Sequence, residues 1–239
     1  MKNGPYGSCN TDILDCNIAS PVWDFYLEKA TLFHQNNRCE IHAVLPVPNS
    51  LDTLFLCNDT LAFTSQKSFK VLQEHFFRDS FLDYHIVCKT VRKFQQFPQY
   101  KVPMTDGHQL LVPLESPWGA AIWLNPLKIY QIHENPHQTL IEFEQGPLIV
   151  STLRKRSLRW LSLEALLLFA VMRRDFAFCP RELTDLKKNL PDCGHSPFLQ
   201  TILLALPRDC QQLPLNKFSQ TYFTEAFKWH YNALTSDPN

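Results

Sequence analysis

The sequence predicts an α+β fold, a curved and mostly antiparallel sheet over residues 40–152 covered by one long helix and by C-terminal helices. Three observations carry this reading. Between residues 40 and 152 short apolar runs of strand type follow one another, broken by Asn-Asp, Asp-Gly, Ser-Pro-Trp-Gly, Asn-Pro and Gln-Gly. After them, Leu158, Leu161, Ala165, Leu168, Phe169 and Met172 fall at helical spacing. Near the end, Phe218, Tyr222, Phe223, Ala226, Phe227, His230, Tyr231 and Leu234 form an aromatic stripe of the same period.

The elements follow in order. Residues 1–38 read as a leader with one short helix, "SPVWDFYLEKATLFHQ", with Ser20 at the N-cap and Pro21 at the first helical position. Residues 39–178 hold the α+β domain. "EIHAVLPV", "DTLFLCN" and "TLAFTS" are strands, the last two forming a hairpin, and "KSFKVLQEHFF" has helical spacing. "DYHIVCKTVRKF" (83–94) reads as a strand, as do "YKVPM", "QLLVPL", "AAIWLN", "LKIYQIH", "TLIEFE" and "PLIVST". The long helix over 157–174 is apolar nearly all round in its second half and must be buried. Residues 179–239 are a helical extension packed on this domain: "PRELTDLKKNL", "SPFLQTILLAL", and a longer helix capped by Asn216.

Composition narrows the function. The chain has 239 residues, 45% apolar, with 18 Phe, which supports a large core rather than disorder. It contains neither GxGxxG nor GxxxxGK[ST], so nucleotide binding lacks its usual motifs. "MKNGPYGSCNTDILDC" has no apolar run, and "LSLEALLLFAVM" is short for a membrane span and carries Glu164. A cytoplasmic protein without membrane contact is expected. Its eight Cys, with no CxxC, then read as reduced thiols. Cys179, Cys193, His195 and Cys210 lack the paired spacing of a zinc site. No cofactor is expected.

One motif invites an enzymatic reading. His133-Glu134-Asn135-Pro136-His137 has the letters of a zinc peptidase. That chemistry needs a helix, because only then do two His four apart aim at one metal. Pro136 lacks an amide proton and holds Asn135 extended, and alternating strand runs flank both sides. The stretch reads as the bend of a hairpin, and a metal-dependent hydrolase is a distant third reading.

Charge is unevenly spread. The chain is neutral in sum, yet residues 86–174 carry eleven Lys/Arg and six Asp/Glu, a balance of +5. Within that block Arg154, Lys155, Arg156 and Arg159 crowd the start of the long helix, where cations oppose the helix dipole. Either the helix begins later, near Ser157, or an anion offsets the charge. Lys89, Arg92 and Lys93 form a second set, with Lys89 and Lys93 on one face of the presumed strand. A polyanion partner and an ordinary solvated face are both open.

The ordered run from residue 100 adds a resemblance. Lys101-Val102-Pro103 leads into an apolar strand ending near Pro113, then Ser116-Pro117 and a Trp-centred strand, Ile122-Trp123-Leu124. Lys128-Ile129, a "T-x-I-x-F" strand (Thr139, Ile141, Phe143), a Gly, an apolar strand and Ser151 before a long helix complete the series. Together with "LAFTSQKSFKVLQEHFF…VCKTVRKF", this resembles the ComK family, competence transcription factors of Gram-positive bacteria, over residues 40–172. Departures are "RDSFLDYHI", which lacks the family's Gly, Ala120-Ala121 where Cys is frequent, and the extra leader and tail.

The resemblance implies a non-enzymatic transcriptional activator of DNA-uptake genes. It implies binding to AT-rich double-stranded DNA through the minor groove, as a homodimer or higher oligomer, and control by an adaptor that delivers the protein to a Clp protease. Arg154, Lys155, Arg156, Arg159, Lys89, Arg92 and Lys93 are the expected DNA contacts. The alternative is a protein-interaction module that uses the C-terminal aromatic helix and binds no DNA.

Overall fold

The computed structural model describes residues 12–34, 39–58, 60–78, 80–176, 186–190, 196–205 and 213–235. The Cys179, Cys193, His195, Cys210 grouping and most of "PRELTDLKKNL" lie outside the described residues. The protein is α+β. β1 (Ile13–Leu14) precedes α1 (Pro21–Lys29), in which Pro21 takes the first helical position after an extended Ser20. β2 (Thr31–Leu32), β3 (Ile41–Pro46), β4 (Thr53–Cys57) and β5 (Leu61–Thr64) lead to α2 (Ser68–Phe77) and α3 (Tyr84–Val91). β6 (Met104–Thr105), β7 (Leu110–Pro113), β8 (Trp123–Leu124), β9 (Ile129–Glu134), β10 (Thr139–Phe143) and β11 (Leu148–Ser151) follow. α4 (Lys155–Asp175), α5 (Pro197–Ala205) and α6 (Lys217–Thr235) complete the described chain.

Two expectations need correction. Residues 83–94 are not a strand: Tyr84–Val91 is the helix α3, and Asp83 caps it by accepting the Ile86 N–H at 3.1 Å. Nor do the strands form one sheet. β1-β11-β10-β9 make a four-stranded sheet and β2-β5-β4-β3-β8-β7-β6 a seven-stranded one, antiparallel except at β1–β11 and β2–β5. Asn125 explains the break. Its N–H donates to His42 O and its side-chain amide to Ile41 O, while its Oδ1 accepts from the Leu127 N–H. Pro126 has no N–H to offer, so the chain leaves the large sheet there.

Alternation then divides the core. Ala43, Leu45, Leu54, Leu56, Leu110, Val112 and Leu124 face a cluster shared with the small sheet, α1, α5 and the first half of α4. Val44, Phe55, Leu111 and Trp123 point the other way, into a cluster built with α2, α3, α6 and the second half of α4. Each face of the large sheet is covered, and α4 belongs to both clusters.

The tail is held by a buried ion pair at the end of α4. Arg174 Nε donates to Asp175 Oδ1 at 2.8 Å, and its other nitrogens bond to Leu213 O and Pro214 O. Asp175 also accepts the N–H groups of Asn216 (3.2 Å) and Phe218 (3.0 Å), capping α6 from outside the helix. Asn216 itself adopts φ 60° and its side chain does not supply the cap. Tyr222 Oη accepts the Asp83 N–H at 2.8 Å and so ties α6 to the start of α3.

Two predictions follow from the core. Trp123 is fully buried, and its indole N–H has no partner among the described residues. Trp123→Ala should cost roughly 3–5 kcal/mol. Trp123→Phe, which sacrifices no hydrogen bond, should cost less than about 1.5 kcal/mol. Urea unfolding checks both, and equal losses would place the indole N–H in an essential contact. Asp175→Asn leaves Arg174 buried without its counter-ion and should cost roughly 3–5 kcal/mol. A variant that melts with the parent would remove the pair as the anchor of α6.

Candidate nucleic-acid interface

The cation run stands where β11 gives way to α4. The chain leaves the strand through Ser151, whose hydroxyl accepts the Leu153 N–H at 2.9 Å, and Arg154 is the extended residue before the helix. The helix begins at Lys155 rather than near Ser157, so the whole run occupies its first turns. The first four N–H groups of a helix have no intrahelical partner, and the Arg154 side chain offers no capping oxygen. Glu134, at the end of β9, does: its Oε1 accepts the Lys155 N–H at 3.2 Å. The Lys155 ammonium reaches back to Ile132 O at 2.9 Å, so this side chain is engaged within the fold.

Arg154 and Arg156 are exposed and Arg159 is half-buried. Among the described residues no carboxylate forms an ion pair with any of the three. They border two grooves. One, of about 960 Å³, is lined by Lys101, Arg156, Arg159 and Trp160 over a floor that includes Leu161 and Ile202. The other, of about 640 Å³, runs between Arg154 and Arg156 on one side and the Asn135–Gln138 turn on the other. Arg156 lines both, on the ridge between them.

Titratable groups in the larger groove include Glu164 and Lys101. Partial burial pushes the Glu164 carboxyl above the ordinary carboxylate range, and a hydrogen bond from Trp160 offsets this only in part. Burial also draws Lys101 below the ordinary Lys range, against the attraction of Glu115. Its ammonium donates to Leu114 O.

The HExxH letters fall on a hairpin. His133 and Glu134 end β9, and Asn135 Oδ1 accepts the N–H groups of His137 and Gln138, both at 2.9 Å. His133 pairs with Glu142 at 2.6 Å rather than with His137. Among the described residues no group of three or more His, Cys, Asp or Glu side chains could hold a metal.

Lys89, Arg92 and Lys93 lie elsewhere. α3 shares its core with Leu167, Leu168 and Val171 of α4, more than a dozen residues beyond Arg154, or about 20 Å at 1.5 Å per residue. Lys89 lies over the Trp229 ring, 3.7 Å from its centroid. Arg92 and Lys93 follow the carboxyl end of α3, where the helix dipole favours cations. Lys89 is on α3 and Arg92 and Lys93 lie just past its end, instead of alternating between strand faces, and the first set is not brought together with them. Glu134, Trp160 and Lys101 were not singled out from sequence as parts of this site. Trp160 carried a signal, because it falls off the Leu158–Leu161–Ala165 stripe and is 60% exposed.

No protein-family model, curated protein or solved structure matches this chain. A helix-capping role for Glu134 is open to measurement. Glu134→Ala should destabilise the fold by about 1 kcal/mol, the usual value of a cap. His137→Ala should stay within about 0.5 kcal/mol, as for ordinary surface changes. Chemical denaturation of the two variants side by side tests the contrast, and the reverse order would return the hairpin letters to a functional role.

Proposed function

We propose that this protein is a non-enzymatic DNA-binding regulator of transcription whose contact surface is the ridge at the start of α4. The observation that carries the reading is the presentation of Arg154, Arg156 and Arg159, without an ion-pair partner among the described residues, at the end of a helix where the dipole disfavours them. Each such cation costs about 0.3–1 kcal/mol at an exposed helix start. Phosphate oxygens supply what the fold withholds, and Arg suits both phosphate and the narrow minor groove of AT-rich DNA. The resemblance to the ComK family supports the same function: an oligomeric activator of DNA-uptake genes in the cytoplasm, acting at AT-rich promoter sites under adaptor–Clp control. No helix among the described residues is long and apolar enough to cross a membrane.

Lys155, engaged with Ile132, and the Lys89, Arg92 and Lys93 set are secondary contributors. A second reading rests on α6, where Phe223, Phe227, Tyr231 and Leu234 are more than half exposed. Such anchors suit a protein partner. A gel shift on an AT-rich duplex with GC-rich competitor separates the two readings. On the DNA reading the Arg154/Arg156/Arg159 triple Ala variant binds more weakly, and its slope of log K against log salt falls by about 1 per lost contact. Its melting temperature holds or rises. Equal affinity and slope in parent and variant would move the DNA contact elsewhere on the protein, and a parent that does not shift the duplex would move the function to α6.

A further inference from the structure

We propose that Cys39 and Cys57 are a redox-active dithiol, oxidised by hydroperoxides to an intramolecular disulfide. The two sulfurs lie 2.9 Å apart, closer than unbonded sulfur atoms ordinarily sit and not far from the bonded distance of about 2.05 Å. The approach is built into the sheet. Cys57 is the last residue of β4 and pairs with Ile41, and a register shift between Ile41 and Ala43 marks the start of β3. Gln109 clips the segment from the other side: its Oε1 accepts the Ile41 N–H at 3.0 Å and its amide donates to Cys39 O at 3.2 Å. Below, the Asn58 N–H donates to Glu40 O at 3.1 Å. These contacts at Cys39, Glu40 and Ile41 hold Cys39 against Cys57.

The two thiols are not equivalent. Cys57 is fully buried and Cys39 is half-buried. Their mutual hydrogen bond is the main influence on both. It holds Cys39 below the ordinary thiol range, despite partial burial, and raises Cys57. Cys39 is thus the accessible member and the one that yields a thiolate, the reactive form. Its attack on the O–O bond of a hydroperoxide forms an S–OH at Cys39 and releases the alkoxide, or hydroxide from hydrogen peroxide, which takes a proton from solvent. The Cys57 sulfur then attacks the Cys39 sulfur. Hydroxide leaves with the Cys57 proton as water, and the S–S bond forms. Two thiols lose two electrons and the peroxide gains them. A dithiol reductant reverses the step by exchange. In a reducing compartment such pairs serve as transient sensors rather than permanent staples.

The test treats the reduced full-length chain with hydrogen peroxide, alkylates the remaining thiols and maps the unreduced digest by mass spectrometry. The expected product is a Cys39–Cys57 cross-linked peptide, lighter by two hydrogens, within one chain, and reversed by dithiothreitol. It should form at least about tenfold faster than oxidation at Cys16 or Cys88, whose thiols burial pushes up. In Cys57→Ser a cyclic 1,3-diketone should trap a sulfenic acid at Cys39, whereas Cys39→Ser should leave Cys57 unmodified. Should Cys57→Ser fail to fold, the parent digest decides alone. Thiols at 39 and 57 that alkylate as fully after peroxide as before would overturn the proposal. So would direct passage of Cys39 to sulfinic acid, or cross-links found only between chains.

Discussion

A helix that is apolar on every side must be covered on every side, and α4 sets this condition for the whole fold. Fourteen of its 21 residues are buried, with Leu166, Leu168, Phe169 and Met172 completely enclosed. At about 25 cal/mol per Å² of apolar surface, leaving one flank of such a helix in water would cost several kcal/mol. No single sheet face can enclose it. Its first half is closed in by the small sheet and α5, its second half by α3 and α6 against the far face of the large sheet. The C-terminal tail therefore completes the core. The Arg174–Asp175 pair, which caps α6 and holds the backbone before it, fixes the tail where α4 needs cover.

Its amino end is the exception to this enclosure. Burying the helix from Leu158 onward forces its first turn to the protein edge, beside the β9–β10 hairpin. There the electrostatic balance is unfavourable. One carboxylate, Glu134, supports the helix start, for a gain of about 1 kcal/mol. Three arginines oppose it at about 0.3–1 kcal/mol each. The cap roughly offsets one or two of them, and among the described residues no ion pair compensates the remainder. At the other end Arg173 and Arg174 stand where the dipole welcomes them. The contrast between the two ends of one helix is what makes the amino-terminal cluster informative.

Much of this was legible in the chain. The spacing of Leu158 through Met172 gave the long helix, and Pro136 correctly denied the HExxH letters a helical setting, since Asn135 organises a tight turn there. Trp123 was recognisable as core at the centre of an apolar strand. The failure at 83–94 has a definite cause. Six of the eight residues of α3 are buried, so Ile86, Val87, Thr90 and Val91 offer no polar face to reveal a period, and all four are β-branched, which favours a strand reading. The one usable signal was Asp83 as N-cap. The division into two sheets was not legible because it depends on Asn125 bonding to β3, more than eighty residues away in sequence. Cys39 and Cys57 are brought together by the same kind of long-range register.

Glu134 belongs to a zinc-peptidase letter pattern but has a structural task here. In a zinc peptidase its position would hold the general base. Here the carboxylate lies at the end of a strand and accepts from the first N–H of α4, while the turn that follows forms a wall of the groove beside Arg154 and Arg156. The hairpin and the basic ridge are thus one structural unit. Glu134 holds the helix start in place, the helix start presents the arginines, and Lys155 secures the arrangement by reaching back to Ile132 on the same strand. A ligand drawn to the ridge meets cations whose backbone is fixed by β9, so little ordering of the main chain remains to oppose binding.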